Sequence, residues 1–255
     1  MPSVTQAVED YLKAIWRLSH DGGEQVSVGD IAAELRVSAP SVTSMVGKLK
    51  AMHLLRHAPY SRVTLTARGR KIALEIVRHH RLWELYLHKR LGVPLELVDG
   101  EAERLEHVLS DDMEELLSRD LGDPTHDPHG DPIPTKAGAL TRVEGIGLGQ
   151  LTRGRKAIVT RVSDRSQEKL RYLVSLGLVP GACVTLLGRA PFRGPITVSV
   201  GNRRHAIDPE LGKLVTVRVT GGASKARARV GARRPARVGT RRPARAKRHV
   251  RAKGR

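Results

Sequence analysis

Apolar positions recur at helical spacing from the start of the chain. Val8, Leu12, Ile15 and Trp16 make one stripe, which predicts a helix from about Thr5 to His20, ended by Asp21-Gly22-Gly23. Ile31, Ala32 and Leu35 mark a short second helix, and Arg36-Val37-Ser38 a tight connection. Val42, Val46 and Leu49 give a third helix its buried side, with Ser38 as N-cap and Pro40 in the first turn, where a missing N–H costs little. Two short extended runs, Leu54–His57 and Arg62–Leu65, flank the turn Ala58-Pro59-Tyr60-Ser61 and read as a β-wing. Thr66 caps a long helix running to about Arg90, with Ile72, Ile76, Leu82, Leu85 and Tyr86 facing inward, and Gly92-Val93-Pro94 stops it. A further helix is predicted from about Asp99 to Arg119, with Leu105, Val108, Leu109, Met113, Leu116 and Leu117 as its apolar positions.

The second half changes period. DPTHDPHGDPIP, from Asp123 to Pro134, is too rich in Pro and Gly for a regular element and reads as an ordered loop or a linker. Beyond it, Ala157–Val162, Cys183–Leu187, Ile196–Val200 and Leu214–Val219 are strand candidates around a short helix, Glu168–Leu176, at a spacing that suits a small barrel.

Charge adds a fourth region. The net charge is +19, yet Ala223 to Arg255 hold 14 Lys and Arg and no acid, leaving 31 basic and 26 acidic side chains elsewhere. This tail repeats RRPAR at Arg233–Arg237 and Arg241–Arg245 and lacks large apolar residues, so it is expected to be disordered. It reads either as a non-specific anchor on nucleic acid or as a solvated, self-repelling end. One cysteine, Cys183, cannot form an internal disulfide, the first helix is too charged for a signal peptide, and no apolar run approaches a membrane span. These features point to a cytoplasmic protein with no membrane partner.

A helix-turn-helix reads DNA by laying its second helix in the major groove, where short polar side chains reach base edges or phosphates. Ser38, Pro40, Ser41, Thr43 and Ser44 are the candidates here, with Lys48 and the wing residue Arg62 as phosphate contacts. A Ser/Thr-rich solvated face inside an ordinary helical domain is the competing reading, weakened by the wing that follows. Three sets of hard ligands accompany this element. His80 and Glu84 are spaced i, i+4; Glu103, Glu106 and His107 are spaced i, i+3, i+4; Asp10 lies on the first helix. Such N and O donors suit a first-row divalent cation, although each pair alone also reads as a solvated helix face. Glu106 and His107 lie beside the expected buried positions Leu105 and Val108, where an unpaired charge is costly. Asp123, His126, Asp127, His129 and Asp131 add potential ligands in the Pro-rich segment. No HExxH pattern and no nucleophile motif suggests an enzyme or a small organic substrate.

A winged helix, a long helix carrying HHRLWELYL, then EAERLEHVLSDDMEELL and DPHGDPIP, resembles the diphtheria-toxin-repressor family of iron- and manganese-dependent regulators. The resemblance runs to about Val219, where the third domain is similar to the SH3-like FeoA module. It implies a mainly α N-terminal half, made of a winged helix-turn-helix (1–71) and a helical dimerisation and metal-binding domain (72–140). A small all-β SH3-like barrel (151–220) and the basic tail (221–255) follow. It implies a homodimeric repressor of metal-ion uptake genes on palindromic double-stranded DNA. The activating site falls on Asp10, Glu103, Glu106 and His107, with Asp10 as the ligand from the DNA-reading domain. The ancillary site falls on His80, Glu84 and Asp99, where iron-type members have His at the last position. Asp127 matches a loop ligand of manganese-type members, and Asp164 or Glu168 could come from the third domain. Carboxylates at positions 10 and 103, where iron-type members carry sulfur, favour Mn²⁺, with Fe²⁺ as the alternative. Lys13, standing where compact manganese regulators place another carboxylate, argues against a coupled two-manganese cluster. The rival is a metal-independent winged-helix DNA-binding protein.

Overall fold

A computed structural model describes residues 4–22, 26–57 and 62–220. Gly23, the wing turn Ala58–Ser61 and the basic tail with its two RRPAR repeats lie outside the described residues.

The first helix, α1 (Gln6–Gly22), buries the predicted stripe: Val8, Leu12, Ile15 and Trp16 are all within the first core. Helix α2 (Val28–Leu35) starts on a reciprocal box in which the Ser27 hydroxyl accepts from the Asp30 N–H and Asp30 accepts from the Ser27 N–H. It ends on Arg36 in the left-handed region, φ 54°. That residue turns the chain into α3 (Ala39–Ala51), capped by Ser38 as predicted and buried through Val42, Val46 and Leu49. Each fully buried Leu or Ile in this core contributes about 1.5–3 kcal/mol. The wing is a minimal ladder, β1 (Leu55–Arg56) on β2 (Thr64–Leu65), extended by an antiparallel bridge from Val26 to Val63.

Thr66 caps α4 (Ala67–Leu91), accepting from the Gly69 N–H, and Gly92 closes it at φ 69°. The first core reaches Val77, so the N-terminal half of α4 packs with the helices and ladder before it and the C-terminal half with the elements after it. The expected helix from Asp99 to Arg119 is instead broken. Helix α5 (Val98–Leu105) tightens into a 3₁₀ turn over Glu106–Val108, Leu109 is extended, and Ser110 caps α6 (Asp111–Asp120). Ser110 followed by Asp111 and Asp112 is the local cause, a cap with an acidic first turn. The break also corrects the apolar stripe. Leu117 is buried, but Val108, Met113 and Leu116 are exposed, at 76%, 46% and 53%.

The Pro-rich segment is an ordered loop, not a linker: residues 127–134 are buried throughout. The third domain is an antiparallel six-stranded sheet of order β3-β8-β4-β5-β6-β7. Its strands are β3 (Ile146–Gly147), β4 (Lys156–Val162), β5 (Cys183–Arg189), β6 (Ile196–Val200), β7 (Arg203–Ile207) and β8 (Val215–Val219). Helices α7 (Gln167–Ser175) and α8 (Pro209–Lys213) complete it. The four predicted strands are present; β3, β7 and α8 are additional. The observed class is the predicted one, a helical half followed by a small SH3-like β domain.

Candidate metal centre and nucleic-acid interface

The 3₁₀ turn re-aims two side chains. Glu106 is fully buried, and His107 points at α1, its Nε2 2.8 Å from Asp10 Oδ1 and 3.4 Å from Glu106 Oε1. One ligand atom each from Asp10, Glu106 and His107 lies within 4.8 Å of the others. Glu9, also on α1, sets the imidazole from behind, with Oε2 2.7 Å from His107 Nδ1. The protection credited to Val108 is absent, since Val108 is exposed; burial of Glu106 comes from α1 and α4. Glu103 stands apart from this trio. Its Oε2 accepts from Lys13 Nζ at 2.6 Å and groups with His80 and Asp99.

A second cluster forms where α4 meets the loop and the third domain. His80 Nε2 lies 3.4 Å from both Glu84 Oε1 and Asp99 Oδ1. His129 Nδ1 lies 3.4 Å from the same Glu84 oxygen. Asp127 joins Glu84 and His129, and Asp164 of the third domain joins Glu84 and Asp99, each set within 4.8 Å. Asp127 is also structural: its Oδ1 accepts from the N–H of His129 and of Asp131. Glu168 is exposed on α7 and joins none of these groups.

The chemistry of these donors fits a divalent cation. Among the described residues, both Glu84 oxygens, His80 Nε2, His107 Nε2 and His129 Nδ1 are buried without a hydrogen-bond partner. Such groups are costly unless something between them supplies charge. Without an ion, the imidazoles and carboxylates compensate one another. Burial works to raise the Glu84 pKa, but the His80 and His129 imidazoles outweigh it and hold the carboxyl well below its ordinary range. Burial and Lys13 work to lower the His80 pKa; Glu84, Asp99 and Glu106 outweigh them and push it up to about 10. His129, also opposed by burial, is pushed up to about 10 by Glu84, Asp127 and Asp164. Burial, with Glu84 and Asp131 nearby, pushes Asp127 well up. Both imidazoles are therefore protonated at neutral pH and must each release a proton to ligate. The apparent affinity of this cluster for a divalent cation is expected to rise as pH rises from 6 to 8, by up to about tenfold per unit for each proton released. Calorimetry in buffers of different ionisation enthalpy counts those protons, and none released would contradict the arrangement.

The DNA-facing candidates are all on the surface: Ser38, Pro40, Ser41, Thr43, Ser44 and Lys48 of α3, and Arg62 of the wing, are exposed. Three of the hydroxyls have local partners, Ser41 Oγ lying 2.8 Å from Ser38 Oγ. Ser38 Oγ accepts from the Ser41 N–H, and Thr43 Oγ1 donates to Ala39 O at 3.0 Å.

Comparison with known proteins accounts for this combination. Residues 3–63 match the iron-dependent repressor N-terminal DNA-binding domain, 66–135 its metal-binding and dimerisation domain, and 146–219 the FeoA domain. The chain is 31% identical to the iron-dependent repressor IdeR of Mycobacterium leprae, over 85% of this chain and 99% of that protein. The chain belongs to the iron-dependent repressor family. It is 34% identical to the diphtheria toxin repressor of Corynebacterium glutamicum, over 73% of this chain and 86% of that one. It is similar in structure to a manganese-dependent transcriptional repressor complexed with manganese, at a TM-score of 0.75 and 33% identity, covering 84% and 100% of the two chains. ScaR with bound Cd²⁺ is similar at a TM-score of 0.70 and 32% identity, covering 83% and 98%. The protein is thus a metal-dependent DNA-binding transcriptional repressor whose domains serve DNA and a second copy of itself. No described helix is long and apolar enough to cross a membrane.

Proposed function

We propose that this chain is a Mn²⁺-responsive repressor that binds a palindromic operator as a homodimer. The observation that carries the reading is the convergence of Asp10, from the DNA-reading unit, on Glu106 and His107, from the dimerisation unit. Asp10, Glu106 and His107 would hold the activating ion, joined by Glu103 once it leaves Lys13; Glu84, His80, Asp99, Asp127, His129 and Asp164 are the donors for a second. Bound there, a divalent cation supplies the charge that keeps these carboxylates and imidazoles together. Oxygen donors with imidazole, and no sulfur in either group, favour Mn²⁺ over softer competitors. Asp10 ties the orientation of α1, and with it α3, to that of α4 and α5. Metal shifts this orientation only by its differential affinity for the DNA-competent state. Val108 with Met113 and Leu116 of α6 offers an exposed apolar face for the second copy. Ser41, Ser44 and Pro40 would then meet base edges, and Lys48 and Arg62 phosphates, in each of two half-sites.

The test is operator selection followed by anisotropy titrations with Mn²⁺, Fe²⁺, Zn²⁺ or chelator. Mn²⁺ is expected to tighten binding about 100-fold over chelator. Equal affinity in chelator would support a metal-independent DNA-binding protein, and a response to Fe²⁺ alone an iron sensor.

A further inference from the structure

Lys13 is the residue that neither site explains. It lies on α1, one turn from Asp10, and its side chain is only 3% exposed. A buried ammonium is costly without close partners. Lys13 Nζ has three: Glu106 Oε2 at 2.6 Å, Glu106 Oε1 at 2.8 Å and Glu103 Oε2 at 2.6 Å. All three are carboxylate oxygens of residues that would hold the activating ion. His80 Nδ1, 3.1 Å from Nζ, is a like charge held beside it by the same carboxylate, 2.5 Å from Glu106 Oε2, and so links both clusters.

We propose that Lys13 is a tethered cation that competes with the metal for Glu103 and Glu106, and so sets the metal concentration at which the repressor responds. This rests on the metal-binding reading above. Both oxygens of Glu106 and one of Glu103 are turned to the ammonium, so a divalent ion drawing on the same carboxylates meets a like charge at close range. The ammonium must swing out, and the free energy of its three carboxylate contacts is subtracted from the binding of the ion. The same contacts tie α1 to the α5–3₁₀ junction in the metal-free chain, and Glu106 in turn holds His80 of α4. In that state the domain junction is held by a charge that belongs to the protein. Metal then replaces one tie, through Lys13, by another, through Asp10, three residues earlier on the same helix. That exchange is a mechanism for changing the orientation of α1 without ever releasing it.

Two measurements on the full chain test this. Chelator-stripped protein is titrated calorimetrically with MnCl₂. Lys13→Met and Lys13→Gln are expected to bind Mn²⁺ at least tenfold more tightly than wild type, and Lys13→Arg to remain within about threefold of it. Folding of each stripped variant is checked by circular dichroism. Neutral variants that fold and bind no more tightly than wild type overturn the competition, while wild-type Mn²⁺ binding in the same titration leaves the metal reading standing. No Mn²⁺ binding by wild type or by the neutral variants overturns both. The second measurement needs no variant. Acetylation of Lys13 in wild-type protein, followed by mass spectrometry, is expected to be slow in chelator and at least fivefold faster with saturating Mn²⁺. A Lys13 equally protected in both conditions shows that it never leaves its carboxylates, and the proposal fails.

Discussion

An Asp10→Ala chain is expected to fold normally and to lose almost all of its metal-dependent gain in DNA affinity. The side chain of Asp10 is 31% exposed, so its removal leaves no large cavity. His107 keeps Glu9 as a partner at 2.7 Å. The stability change should therefore stay within about 0.5 kcal/mol, as for a surface substitution. The functional change should be large, because among Asp10, Glu106 and His107 only Asp10 belongs to the unit that carries α3. Without it an ion held by Glu103, Glu106 and His107 no longer distinguishes one orientation of α1 from another. The ratio of operator affinity in Mn²⁺ to that in chelator should fall from about 100 to near one. Glu106→Ala makes a useful contrast. It strips the buried Lys13 of two contacts and His80 of one, so it should cost about 3–5 kcal/mol of stability besides disabling the site. Paired thermal melts and anisotropy titrations separate the two effects. An Asp10→Ala chain with full metal dependence would sink the assignment of the activating site.

The sequence carried the helices and most strands because their apolar spacing is local. Val8, Leu12, Ile15 and Trp16 announce α1, and alternation in Ile196–Val200 announces β6. Strand β7 has no such pattern: in RRHAI only Ile207 is buried, as an edge strand with one wet face allows. The division of the Asp99–Arg119 region was encoded by Ser110-Asp111-Asp112, a capping signal outweighed by the run of apolar positions around it. Site residues were harder to read because their partners are distant. Asp10, Glu106 and His107 were picked out as ligand types on helix faces, and the resemblance joined them. Lys13 stood out as a departure from the manganese-type pattern but not as a partner of Glu103 and Glu106, since its contacts lie 67 to 93 residues away. His129, fully buried against Glu84 and Leu95, was one of several loop residues of equal standing. Nothing local separates it from the exposed His126; only the docking of the loop does.

That docking depends on Gly130, and Gly130→Ala is expected to give the largest structural effect. The loop closes on itself through an antiparallel bridge from His126 to Pro132 and a bond from the Asp127 N–H to Asp131 O. It then lies on β4, where the Val162 N–H donates to His129 O and Arg161 Nε to Asp131 Oδ1. At Gly130, φ is +92°, and a Cβ would stand 1.9 Å from Thr160 O and 2.9 Å from Arg161 Cα. Both obstacles are backbone, so no rotamer change relieves them. Left-handed strain alone costs about 1–2 kcal/mol, and the clash must be met by lifting the loop off β4. The total loss should exceed about 3 kcal/mol, among the larger effects of a single substitution. Gly122 isolates the first component: its φ is +78°, but a Cβ there would touch nothing within 4 Å. Gly122→Ala should therefore cost about 1–2 kcal/mol and leave metal binding alone. Lifting the loop carries His129 and Asp127 away from Glu84, so Gly130→Ala should weaken Mn²⁺ binding at that cluster by about 10–100-fold or more. Among the described residues no hydrogen bond or ion pair runs from this loop to Asp10, Glu106 or His107, so the activating site should keep its affinity. Calorimetric titration then distinguishes two classes of site in wild type from one tight class in the variant. Equal weakening of both classes would mean that the loop supports the activating site as well, and that the two clusters act as one.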